Sequence, residues 1–252
     1  MIYLGVLSRL SARRGQAASS TDPRDWRTRD ERRPPIMDNS AREREREVSS
    51  RQTPGIVAIT ASAGGVEALS KVLSALPADF PVPIVVVQHL DPRHPSMLPE
   101  ILARRCDIAI KQAEEGDALK PGTAFIAPPD EHLLVNGDGT LSLSHSDLVH
   151  FVRPSADLLF ESVAASHEDR TIAVVLTGTG SDGTMGVQAV DKMGGRVIVE
   201  DPETADFAGM PAAAVETGAV DEVLELGEIA ERLVALVGKD WSRRKTEARS
   251  RK

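Results

Sequence analysis

The sequence predicts an α/β domain over residues 54–238: a doubly wound, mostly parallel sheet with helices on both faces and an antiparallel β-hairpin. Three observations predict it. Short β-branched runs bounded by glycine and proline recur along the segment, and such runs read as buried parallel strands. Stretches long enough for helices separate them, the alternation that doubly wound sheets require. Aromatic residues make up only 3% of the chain while alanine, valine, leucine and glycine abound, so the core must be aliphatic.

Each element follows from local pattern. Strands are expected at Gly55–Thr60 (GIVAIT), Ile84–Gln88 (IVVVQ), Ala124–Ala127, Ile172–Thr177 (IAVVLT) and Arg196–Glu200 (RVIVE). Helices fit at Val66–Leu76, Ser96–Arg105, Ser155–Ser166, Gly183–Met193 and Gly227–Val237. Between His132 and His145 the sequence HLLVNGDGTLSLSH alternates about Asn-Gly-Asp-Gly, a hairpin signal. Residues 1–53 are rich in Arg, Ser, Pro and Asp and have few apolar anchors. They are expected to be a disordered extension, with a short exposed helix at Arg42–Glu47. Residues 239–252 are expected to be a basic, disordered tail. No internal repeat is evident.

Composition excludes several functions. Net charge is −8, but residues 1–53 carry 12 Arg against 8 acids and the tail from Lys239 is also basic, so the middle is strongly acidic. An acidic domain repels phosphate backbones, and so few aromatics cannot read bases by stacking; nucleic acid is not an expected partner. The basic ends are most simply solvated charge. The lone Cys106 excludes an internal disulfide and a cysteine-rich metal site. The first residues lack the basic-then-apolar form of a signal peptide, and no apolar run reaches about 18 residues. A cytoplasmic location without membrane insertion is the expectation.

In sheets of this kind ligands bind beyond the carboxyl ends of the strands. The Gly55 strand exits into Ala-Ser-Ala-Gly-Gly, which puts Ser62 at a strand-to-helix turn. The Ile84 strand exits through Gln88 into His89. The Ile172 strand exits into Gly-Thr-Gly-Ser-Asp-Gly, which carries Asp182. A serine hydroxyl needs a base to take its proton, histidine is that base, and a carboxylate on the far ring nitrogen fixes the tautomer. Gly64 and Gly65 would let amides at the helix start face a developing oxyanion.

Each residue also has a plainer reading. A serine before Gly-Gly can be a helix cap or a phosphate-loop residue, a strand-end histidine can be structural, and an aspartate in a glycine turn can close an Asx turn. A dinucleotide site competes as well. Gly178-Thr-Gly180-Ser-Asp-Gly183 is a literal G-x-G-x-x-G between a strand and a helix, with Glu200 and Asp201 placed to hold a ribose hydroxyl. That fingerprint, however, sits late in the domain and leaves the Ser62 and His89 loops without a role.

Six segments in order carry a resemblance: Ala61-Ser-Ala-Gly-Gly65, Gln88-His-Leu90, Ala127-Pro-Pro129 followed by His132-Leu-Leu, Arg153-Pro-Ser-Ala-Asp-Leu-Leu-Phe160, Leu176-Thr-Gly-Thr-Gly-Ser-Asp-Gly183, and Glu200-Asp-Pro with Gly209-Met-Pro211. Together they resemble the catalytic domain of the chemotaxis protein-glutamate methylesterases (CheB type) from about Gly55 to Val237. The resemblance implies hydrolysis of γ-glutamyl methyl esters on chemoreceptor-type signalling proteins to glutamate and methanol, with glutamine deamidation as related acyl chemistry. It implies Ser62 as nucleophile, His89 as base and Asp182 as its orienting carboxylate, with Ala63, Gly64 and Thr179 at the oxyanion and substrate position. No cofactor or metal is implied.

Departures from the family pattern are local. Thr60 stands for the usual first glycine of the serine loop, and Ala63 for the threonine after the nucleophile. Thr179 stands where methionine is usual. A non-catalytic interaction domain of the same fold is therefore a third reading. The stretch before Gly55 is too short for the receiver domain typical of the family, so control by the chain's own phosphorylation is not expected. The loop Gln88–Met97 looks more like versions fused to a methyltransferase, so a separate receiver or methyltransferase is an expected partner.

Overall fold

The structure, a computed structural model, describes residues 55–90 and 96–249, with side chains described through residue 238. The expected extension at 1–53 lies outside the described residues, as do residues 91–95 of the Gln88–Met97 loop. Among the described residues, nine strands and six α-helices follow one another as β1 (Ile56–Ala61), α1 (Gly65–Ser74), β2 (Ile84–Gln88), α2 (Leu98–Ala103), β3 (Ala109–Gln112), β4 (Thr123–Ile126), β5 (His132–Val135), β6 (Leu141–Ser144), α3 (Ala156–His167), β7 (Thr171–Val175), α4 (Thr184–Lys192), β8 (Arg196–Glu200), α5 (Gly209–Glu216), β9 (Glu222–Leu224) and α6 (Leu226–Arg249).

Seven strands form one sheet in the order β3-β4-β2-β1-β7-β8-β9, and every pairing in it is parallel. The expected hairpin stands apart as β5–β6, with His132 opposite Ser144 and Val135 opposite Leu141. Alternation along the strands builds two aliphatic layers. Val57, Ile59, Ile84 and Val86 face α1 and α6 through Leu69, Leu73, Ile229 and Leu233. Ile56, Ala58, Val85 and Val87 belong to the opposite layer, with Leu159, Phe160 and Val163 of α3, Val187 of α4, and the hairpin's Leu133 and Leu141.

Three elements were not expected: β3, β9 and α5. The two strands lie at the sheet's edges, where each has one neighbour and polar residues are tolerated. The last helix extends past the expected boundary at Gly238. It runs from Leu226 to Arg249, so the boundary at Gly238 falls inside a helix and residues 239–249 are not outside secondary structure. One interior glycine costs a helix about 1 kcal/mol, and the Arg, Lys, Glu and Ala that follow favour continuation.

β1 lies at the centre, with β2 and β4 reached on one side and β7 and β8 on the other. Chain direction across the sheet reverses between β1 and β7. Sheets of this type bind ligands beyond the carboxyl ends of the strands at such a point.

Candidate active site

Ser62, His89 and Asp182 leave β1, β2 and β7 at this edge. The ladder ends with Ala61 opposite Gln88, so Ser62 and His89 are the next residues along adjacent parallel strands. His89 N donates to Ala61 O at 3.1 Å, and Ser62 N donates to Thr177 O at 3.0 Å. The Ser62 loop is thus pinned on both sides. Among the described residues the Ser62 hydroxyl makes no hydrogen bond to the His89 ring. In unliganded enzymes such contacts are often long and tighten with substrate.

The histidine–carboxylate half is fully formed. His89 Nε2 lies 2.9 Å from Asp182 Oδ2. Asp182 is buried, and its oxygens accept from Ser155 Oγ at 2.9 Å, Ala156 N at 2.6 Å and Asp157 N at 3.2 Å. The last two amides open α3, so the carboxylate sits on a helix N-terminus whose dipole favours negative charge. Burial alone would push the Asp182 carboxyl up. The His89 hydrogen bond and the amides outweigh it and hold the carboxyl below its usual range.

Behind Asp182 a second histidine supports the same helix start. His132 is fully buried, and its Nδ1 accepts from Ser155 N at 3.1 Å while Nε2 faces Asp147 O at 3.1 Å. Burial holds its basicity below the ordinary histidine value, and because Nδ1 accepts an amide proton the ring's own proton lies on Nε2. Ser155 and His132 carry functions the sequence did not assign, although both lie in quoted motifs. Their contacts span 27 and 23 residues, beyond any local pattern.

The expected oxyanion residues are partly available. Gly64 precedes α1 with φ +76°, a conformation that favours glycine. Gly65 N is committed to Ser62 O at 2.9 Å, which corrects the expectation that both glycines offer amides. Among the described residues the amides of Ala63, Gly64 and Thr179 donate to no acceptor. The Ala63 carbonyl is tied down by Thr177 Oγ1 at 3.1 Å. Ser62, Ala63 and Gly64 are half-buried, and Thr179 is exposed beside them in the Asp182 loop.

The glycine fingerprint does not form a dinucleotide cradle. A Cβ on Gly178 would meet Met210 Sδ at 2.4 Å and Ser62 Cβ at 2.9 Å, so that glycine serves packing against α5 and Ser62. Glu200, the acid this reading needs, is buried and accepts from Thr177 N at 2.7 Å; burial pushes its carboxyl up. Asp201 turns back on its own loop by accepting from Glu203 N.

A hydroxyl and an imidazole at the ends of adjacent strands, with a buried carboxylate on the imidazole's Nε2, carried at the switch point of a doubly wound sheet, are the residue types from which serine hydrolases build their sites. Comparison with known proteins narrows the class. The family model for CheB methylesterase matches residues 57–233. A Leptospira interrogans relative is 44% identical over 180 residues, covering 71% of this chain and 93% of its own. The Thermotoga maritima protein-glutamate methylesterase/protein-glutamine glutaminase is 42% identical over 185 residues, 72% of this chain but 54% of its own. The crystal structure of the Thermotoga maritima CheB methylesterase catalytic domain superposes with a TM-score of 0.71 at 41% identity, covering 74% of this chain and 100% of that one. The chain belongs to the CheB methylesterase family. It is a hydrolase of that family, whose known role is adaptation in chemotaxis.

Proposed function

We propose that residues 54–238 form a protein-glutamate methylesterase domain that uses Ser62, His89 and Asp182. The observation that carries this reading is the His89–Asp182 contact on the amides of α3. It occupies Nε2 and leaves Nδ1 as the nitrogen for the serine proton. Ser62 Oγ bonds to the ester carbonyl carbon as His89 Nδ1 takes its proton, and Asp182 stabilises the imidazolium. The oxyanion forms against the amides of Ala63, Gly64 and Thr179. The adduct collapses, its C–O bond breaks, and methanol leaves with the proton from His89. Water then adds to the acyl-enzyme, gives a proton to His89, and releases glutamate as that proton returns to Ser62. With a glutamine side chain the same steps release ammonia.

The substrate is a methylated chemoreceptor or a similar signalling protein, met in the cytoplasm, with a separate receiver or methyltransferase as companion. No described helix is long and apolar enough to cross a membrane. The chain spans about half the length of several relatives, 52% and 54% of two of them.

Methanol release from methylated receptor membranes tests the reading. Ser62→Ala and His89→Ala should each lower the rate by several orders of magnitude, and Asp182→Asn by about 10⁴ or somewhat less. Wild-type rates in a folded Ser62→Ala variant would end the assignment.

A further inference from the structure

We propose that Gln88 is a positioning residue for this reaction, its side-chain amide clamping the nucleophile's loop to the base's loop. The proposal rests on the reading of Ser62 as nucleophile and His89 as base. Gln88 is the last residue of β2 and is 3% exposed. Its Nε2 donates to Ser62 O at 2.7 Å and to His89 O at 2.9 Å, which uses both amide hydrogens. The β1–β2 ladder ends at Ala61 and Gln88, and beyond it the two chains turn into different loops. The Gln88 side chain supplies the next rung, joining the carbonyls of the two residues that must exchange a proton.

The orientation is dictated by chemistry. A reversed amide would set Oε1 against two carbonyl oxygens. In the orientation present, Oε1 is buried with no hydrogen-bond partner among the described residues. A buried acceptor without a donor is destabilising, and an apolar side chain of similar length would fill the space without that defect. The neighbouring chain is shaped around the amide: a Cβ at Gly65 would lie 1.9 Å from Oε1 and 2.9 Å from Cδ. Filling alone does not account for a glutamine here, whereas alignment of Ser62 with His89 does. A shift of about 1 Å at such a pair lowers rate about 100-fold.

The test is the second-order rate at which a fluorophosphonate labels the full chain, with Ser62→Ala as the blank. Gln88→Met removes both donors at similar volume and should label about 100-fold more slowly while unfolding cooperatively. Gln88→Glu sets a carboxylate against two carbonyls, and protonation restores one donor. Its deficit should therefore narrow as pH falls from about 8 towards 5, a trend that lost packing would not produce. In the wild type, the Gln88 side-chain amide protons should exchange with solvent at least about tenfold more slowly than those of exposed Gln188. Ser62-dependent labelling of the wild type with Gln88→Met within about threefold of it overturns the clamp alone. Exchange of the Gln88 amide at the Gln188 rate also overturns it, even if neither variant folds. Wild type that shows no labelling at Ser62 removes the nucleophile assignment and the clamp with it.

Discussion

At the residue scale the charge on Asp182 is a balance, because a carboxylate taken out of water tends to take up a proton. Burial pushes in that direction, while His89, Ser155 and two α3 amides provide more than enough donors to keep the charge. The stability this confers is present above the unfolded carboxyl value of about 3.9 and is lost as pH falls through the lower folded value. Asp182→Asn should therefore be less stable than the wild type at neutral pH, with the gap closing as pH falls below about 4. Thermal unfolding followed across that range checks it, and a gap independent of pH would contradict it. Glu200 and Asp157 carry the opposite sign, because burial raises both. Candidate site residues were legible in unequal degree: Ser62, His89 and Asp182 stand out as polar residues after strands, while Gln88, Ser155 and His132 make contacts with partners distant in sequence. The one local signal for Gln88 is a polar residue closing the apolar run IVVVQ.

At the scale of elements, the distance between α3 and α4 sets the carboxylate's position, since Asp182 lies just before α4 and rests on the start of α3. Gly186 permits that approach: a Cβ there would lie 2.5 Å from Phe160 Cβ and 3.1 Å from Asp157 O. Gly186 N also donates to Asp157 Oδ1 at 2.8 Å. Gly186→Ala gains roughly 0.8–1 kcal/mol in helix propensity but forces an overlap that costs about 1–3 kcal/mol, so packing should win. The expected result is a net loss of stability in denaturant unfolding together with lower esterase activity. A stabilised variant would show that the helices can separate without disturbing Asp182. Burial separates the elements that are legible in the sequence from those that are not. β1, β2, β7 and β8 are interior strands covered on both sides and read as apolar runs, whereas the edge strands β3 and β9 are partly exposed and polar. α5 reads GMPAAAVE, with little apolar periodicity and an internal proline, and only packing against the Asp182 loop through Met210 N to Gly178 O makes its helix start evident.

Over the whole molecule, a parallel sheet gathers every strand's carboxyl end on one edge, which is why residues 62, 89 and 182 lie at the same edge although they are far apart in sequence. The fold class was readable because alternating strand and helix patterns allow few architectures. The exact helix end at Arg249 was not, because charged helix-forming residues look the same in a solvated helix and in a tail. The proposed reaction depends on one proton passing from Ser62 to an imidazole that Asp182 holds. Peptide mapping of the fluorophosphonate-treated full chain tests this most directly. The adduct should sit on Ser62 and form more slowly in His89→Ala by several orders of magnitude. An adduct elsewhere, or labelling of Ser62 at the wild-type rate without the His89 ring, would contradict it.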